Sequence, residues 1–252
     1  MDFESDEERT RAELRARQGL GARYDAEQAP KDRLLWARRG TAYLARKLNE
    51  LSDDELDEPG LDGVSRRTVI ARIAYQARAL AQVIADIRTG TAGQAQAQTF
   101  DDELVDAETL PAHALRYLFA HSEIHLNVEW RDLPDAGWES PVKASPGWVV
   151  TPPDTVLLRA RDVWCGALAL GNGARLQDVP LDLMSALAVQ AGQYWRAKGL
   201  ASELCLDPEQ GASLRPGHPG TALSLSRTNL ARWLLGLTQG HAPELPPLPQ
   251  YP

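Results

Sequence analysis

Four long stretches of this 252-residue chain repeat their apolar residues at spacings of three and four, and that period leaves little choice of fold. The clearest runs over 65–88, where Ile70, Ile73, Ala74, Ala77, Leu80, Ala81 and Ile84 fall on one stripe. At 3.6 residues per turn such a set shares one helical face, and that face must be buried against other elements. Ser65 stands where a side-chain oxygen can accept a free backbone N–H at the helix start. Leu34, Leu35, Ala42, Leu44, Leu48 and Leu51 predict a first helix over 31–51. Leu115, Leu118, Phe119, Ser122, Leu126 and Trp130 predict a third over 108–132. Thr151 followed by Pro152 and Pro153 predicts a fourth over 153–171, since proline is tolerated in a first turn. Four such helices with one long connection read as a four-helix bundle.

The pattern changes after "GNGARLQDVP". An amphipathic helix is predicted over 181–198, strands over 203–207 and 221–226, and a helix over 227–237. The expected class is therefore α+β, mainly α. An antiparallel four-helix bundle over 31–175 would be followed by a small α+β domain over 176–240. Residues 1–30 read as an acidic and mixed-charge arm with a solvated helix over 6–18, and 241–252 as a proline-rich tail. "TGTAGQAQAQT" reads as a low-complexity loop and "WVVT" (148–151) as a short extended piece.

Hydrophobic residues make up 43% of the chain, enough for a packed core, and the formal net charge of −8 argues against a nucleic-acid partner. No run approaches the ~18 apolar residues of a membrane span, so a membrane partner is not expected. The N-terminus lacks the apolar core of a secretory signal, and Cys165 and Cys205 have no C-x-x-C partner. Both features point to the cytoplasm.

Residues 159–170, "RARDVWCGALAL", place Asp162 and Gly166 one turn apart in a predicted helix. A glycine there costs about 1 kcal/mol relative to alanine, so it demands a reason. Cys165 beside it reads either as a nucleophile or, more simply, as a small buried hydrophobe. His121 and His125 are spaced to share a metal but flank the apolar stripe of their helix, which favours ordinary boundary histidines. "GNGARLQD" is not followed by a phosphate-binding helix pattern.

Three runs, "LDGVSRRTVIARIAYQARAL", "LRYLFAHSEIHLNVEWRDL" and "LLRARDVWCGALALGNGARLQDVP", together resemble the mycothiol-dependent maleylpyruvate isomerase family of the DinB-like helical-bundle superfamily. The resemblance covers about residues 31–240 and implies the bundle fold. It also implies a divalent metal, usually zinc, held by two histidines and a glutamate. Here those positions carry Arg72, Gly166 and Asp162. A further family histidine falls on Thr68, a tryptophan on Val64, and a substrate-contacting arginine on Leu237, while Arg161, Val163 and Trp164 match.

Arginine offers only donors and stays charged, so it cannot replace an imidazole ligand, and zinc is not expected. Two roles for the altered site follow. In one, Arg72 and Asp162 form an ion pair inside the bundle and take over charge stabilisation beside a pocket widened at Gly166, lined by Tyr75, Gln76, Trp164 and Cys165. In the other, the pair neutralises a relic. The expected function is a metal-independent, isomerase-like enzyme acting on an unsaturated or carboxylated small molecule by isomerisation, cyclisation, or thiol addition and elimination, in bacterial specialised metabolism. The alternative is a non-catalytic small-molecule-binding or resistance protein. A purely structural partner that associates through the acidic arm is the third reading. Mycothiol stays open as a co-substrate.

Overall fold

A computed structural model of the chain describes residues 24–61, 63–91, 101–145, 148–197, 199, 204–207, 211–214 and 224–237. The helix predicted over 6–18, the low-complexity stretch 92–100 and the tail 241–252 lie outside the described residues.

The bundle consists of α1 (Lys31–Asn49), α2 (Arg66–Thr89), α4 (Ala112–Asp132) and α5 (Pro152–Ala169), with a short α3 (Asp101–Glu108) on the connection between α2 and α4. Ser65 caps α2 by accepting the Thr68 amide. At the start of α5 the Thr151 amide donates to Asp154 Oδ2 at 3.2 Å. The third predicted helix begins later than 108, because Pro111 lacks the N–H that a helix interior needs and stands instead at the N-cap of α4.

Contacts between the helices fix their directions. Arg67 Nη1 donates to Leu110 O at 2.7 Å, and Arg88 Nε to Glu129 Oε2 at 3.0 Å, so α2 and α4 run parallel. Arg33 meets Asp154 at 2.9 Å, and Asn172 Nδ2 meets Lys47 O at 2.7 Å, so α1 and α5 also run parallel. The two pairs are antiparallel to each other: the Leu61 amide at the start of α2 donates to Ala169 O at the end of α5 at 2.8 Å. The long connection through α3 is what lets α4 return in the direction of α2.

Among the described residues there are two small antiparallel sheets: β1 (Val142–Ser145) with β2 (Trp148–Val150), and β3 (Leu204–Asp207), β4 (Gly211–Leu214) and β5 (Ser224–Leu225) in that order. β1 and β4 carry too little alternation to be read from sequence, and pairing with a neighbour makes them strands. Two further α-helices among the described residues are α6 (Leu181–Ala197) and α7 (Arg227–Leu234). Trp195 of α6 is fully buried, and its ring lies 5.4 Å from that of Trp233 on α7. Among the described residues a main apolar core runs from Leu34 on α1 to Leu237 beyond α7, and Val83, Val142, Val150 and Leu158 form a separate small cluster.

Candidate functional site

All four bundle helices send a polar side chain into one layer. Arg159 of α5 has no solvent exposure at all. Its Nη2 pairs with Glu123 of α4, and its Nη1 donates to Gln76 Oε1 of α2 at 3.1 Å. Gln76 Nε2 then donates to Asp162 Oδ2 at 2.7 Å, and Arg161 Nε donates to Asp162 Oδ1 at 3.0 Å. From α1, Thr41 Oγ1 donates to Glu123 Oε2 at 3.1 Å. Two guanidinium groups thus face two carboxylates, and the layer is charge-neutral. That balance is what permits burial, since a lone buried charge would cost several kcal/mol. Burial pushes the Arg159 guanidinium down to about 10, opposed by the charge of Asp162, so it remains a cation at neutral pH.

The structure brings together two of the predicted site residues, Gln76 and Asp162. It does not form the expected pair between Arg72 and Asp162. Arg72 is exposed, and the bonded partners of Asp162 are Gln76 and Arg161. The physical reason lies one turn along α2. The neutral amide of Gln76 satisfies Asp162 without taking another guanidinium out of water, a desolvation that Arg72 would have to undergo.

Nor does Gly166 widen a pocket. A Cβ built there would lie 3.1 Å from Ile73 Cγ1, 3.2 Å from Ile73 Cδ1 and 3.6 Å from Leu44 Cδ2. The glycine lets α1, α2 and α5 close on one another, and Ile73 fills the space. Trp164 turns away from Asp162: its indole donates to Trp36 O at 3.2 Å and its ring lies 5.1 Å from that of Tyr43. Residues two apart on a helix do not share a face, which accounts for the separation. Tyr75 is half-buried, with the Arg78 guanidinium 5.8 Å from its ring, and Cys165 is half-buried at the edge of the core. Leu237 lines a cleft of about 240 Å³ with Arg232, Leu61 and Leu168. A second cleft, about 570 Å³, lies between the 176–181 turn and α7. His121 and His125 stay on the outer side of α4, the first stacked on Tyr117 and the second beside Glu129.

Sequence reasoning passed over Arg159, Glu123 and Thr41. The signal for Arg159 was present: it precedes Asp162 by three residues, a spacing that places both on one helix face. Glu123 lies beside the apolar stripe of α4, one turn after Phe119. Neither carries a motif that marks it off from a solvated charge.

A family model described as the mycothiol maleylpyruvate isomerase N-terminal domain matches residues 37–168, just over half of the chain. The chain belongs to this family. Two crystal structures of the mycothiol-dependent maleylpyruvate isomerase, one of them a point mutant, are each 30% identical to this chain. Both alignments cover 86% of this chain and 95% of the other, with TM-scores of 0.70 and 0.71. A search of curated proteins gave no match. The isomerase-family chain therefore has the mainly helical DinB-like fold. No described helix is long and apolar enough to cross a membrane.

The residues on which the resemblance places the metal, Arg72, Asp162 and Gly166, are not a zinc-binding set. Arg72 cannot ligate and Gly166 has no side chain, which leaves Asp162 as a single carboxylate donor, too few to hold the ion. Among the described residues no group of three His, Cys, Asp or Glu side chains is placed to hold a metal.

Proposed function

We propose that this isomerase-like protein works without a metal, as an enzyme for an unsaturated or carboxylated small molecule, with Asp162 and Arg72 as its working groups. The observation that supports this reading is the state of Asp162. Its carboxylate is fixed by one donor on each oxygen, yet its side chain keeps 14% exposure. Each carboxylate oxygen has a second lone-pair site, so Asp162 can still take a proton from a bound molecule. Arg72, exposed one turn before Gln76, carries a full positive charge and a planar fork suited to a substrate carboxylate. Isomerisation, cyclisation, and thiol addition or elimination all need a proton moved beside an anionic centre; Asp162 is the proposed carrier of that proton, and Arg72, one turn away from Gln76 on α2, the proposed anchor of a substrate carboxylate. Mycothiol is the candidate thiol, in line with the dependence stated for the solved relatives. The setting we propose is cytoplasmic, in bacterial specialised metabolism.

A second reading, a small-molecule-binding or resistance protein without turnover, is favoured by one observation: both oxygens of Asp162 are held by donors from the protein, as in a carboxylate that only fixes the layer. One experiment separates them. Purified full-length protein, treated with EDTA, is incubated with a panel of cis-unsaturated mono- and dicarboxylates, with and without mycothiol, and followed by proton NMR. Turnover that survives EDTA and is lost in Asp162→Asn supports the enzyme. Thermal stabilisation by a panel member without turnover supports the binder. Stoichiometric zinc in the untreated protein, with activity lost on its removal, overturns both.

A further inference from the structure

Polarity alone orders the contacts of the buried layer. Arg159 can only donate, and the Asp162 carboxylate can only accept. Gln76 lies between them with one accepting and one donating end. Only one orientation of its amide satisfies both neighbours: Oε1 toward Arg159 Nη1 at 3.1 Å and Nε2 toward Asp162 Oδ2 at 2.7 Å. Turned over, the amide would set N–H against guanidinium N–H and carbonyl oxygen against carboxylate oxygen. Arg159 is itself clamped by Glu123, whose other oxygen accepts from Thr41 at 3.1 Å. The contacts therefore run Thr41, Glu123, Arg159, Gln76, Asp162, and cross from α1 to α4, α5 and α2 before returning to α5.

We infer that Arg159 is the positioning residue of the Asp162 site: through its grip on the Gln76 amide it sets the plane and direction of a carboxylate it does not itself bond. The inference rests on the reading of Asp162 as a working group. Arg159 has no exposure to solvent, so it acts on a bound molecule only through Gln76 and Asp162. The role needs a fork and not merely a charge. A guanidinium bonds Glu123 and Gln76 at once from separate nitrogens, whereas a lysine ammonium is a single point on a flexible stem.

The test uses the full chain, labelled with nitrogen-15, and no ligand. The Gln76 side-chain NH2 signals are assigned by their loss in Gln76→Met. In the wild type they should exchange slowly with water, and the Arg159 Nη protons should be resolved because rotation of the guanidinium is blocked. Arg159→Lys should speed Gln76 NH2 exchange at least tenfold while the backbone amide signals at the far ends of α2 and α5 stay in place. Arg159→Met with Glu123→Met removes both charges together and guards against a lone buried ion. It should give the same loss of protection at Gln76. Gln76 signals that keep their wild-type positions and exchange in both folded variants would overturn the inference and leave Arg159 a structural ion only. The NMR result is independent of turnover. If Gln76 responds while Asp162→Asn leaves turnover and binding intact, the grip of Arg159 on the Gln76 amide stands, while the proposed function falls and with it any working role for the carboxylate that grip directs. Where turnover is found, Arg159→Lys should lower kcat at least tenfold and leave KM within about twofold.

Discussion

Replacing Gly166 by alanine sets two magnitudes against each other. A glycine-to-alanine change inside a helix stabilises by about 1 kcal/mol. The new methyl, however, would stand 3.1 and 3.2 Å from two carbons of Ile73. Carbon atoms rest about 3.5–4.0 Å apart, so Ile73 must retreat by a few tenths of an ångström. It has little room to do so, being β-branched in a helix interior and only 5% exposed. Overpacking of this kind costs about 1–3 kcal/mol. Gly166→Ala should therefore destabilise the protein by about 1 kcal/mol, despite the better helix former. Urea denaturation at pH 7, with an unchanged m-value, measures it. Ile73→Ala alone should cost about 2–4 kcal/mol by opening a cavity. In the double variant the added methyl enters that cavity, so the combined loss should fall short of the sum by about 1 kcal/mol or more. A stabilisation by the full ~1 kcal/mol, additive with Ile73→Ala, would show that position 166 borders open space. The account of the glycine as a close-packing device would then be wrong.

At Gly40 a Cβ would lie 2.5 Å from Val163 Cγ2 and 2.8 Å from Trp164 Nε1. Gly40→Ala should cost about 2–3 kcal/mol, with a change in near-ultraviolet circular dichroism as Trp164 moves. Arg72 is exposed, so Arg72→Ala should shift stability by no more than about 0.5 kcal/mol in the same urea assay; a loss of several kcal/mol would point back to a buried ion pair. Arg175 and then Tyr43 hydrogen-bond Asp178 and hold its carboxyl at about 2, below its ordinary 3.8. Because the folded value is the lower one, the stabilisation is complete above about pH 4 and is lost as the pH falls from about 4 to 2. Tyr43 is shifted the other way, above its ordinary 10.0, by burial and by its bond to Asp178. Its contribution is complete below about pH 10 and is lost as the pH rises through the folded value. Tyr43→Phe should flatten the stability profile at both ends, measured by denaturation at pH 2.5, 4, 7 and 10.5. An unchanged profile would count against the Tyr43–Asp178–Arg175 contact.

How much of this was legible beforehand depends on the range of the interaction. Ser65 and Thr151 mark helix starts by chemistry confined to a single turn, and both stand there in the structure. The apolar stripe of α2 is periodic within its own helix, and Ile70, Ala74, Ala77 and Ile84 are all buried as the period requires. Pro111 has the same local authority: without an N–H it stands at the N-cap of α4, later than the start predicted at 108. The family, too, could be read from strings and spacings, because these are properties of the line of residues alone.

The partner of Asp162 could not be read that way. On the sequence Arg72 is the expected partner and Gln76, one turn on along the same helix, only a lining residue. The choice between them depends on which side chain can enter a layer that already holds Arg159 and Glu123, and those residues lie on two other helices. Desolvating a further guanidinium is expensive, and a neutral amide with one donating and one accepting end fits between a cation and an anion at little cost. The reason for Gly166 was hidden likewise, since Ile73 lies 93 positions away and meets it only when α2 and α5 pack. Local chemistry and period were enough to determine the helices, their caps and the family of this chain. Which charges pair and which spaces close was decided only by the packing of four helices, because burial energies depend on neighbours that the linear order does not specify.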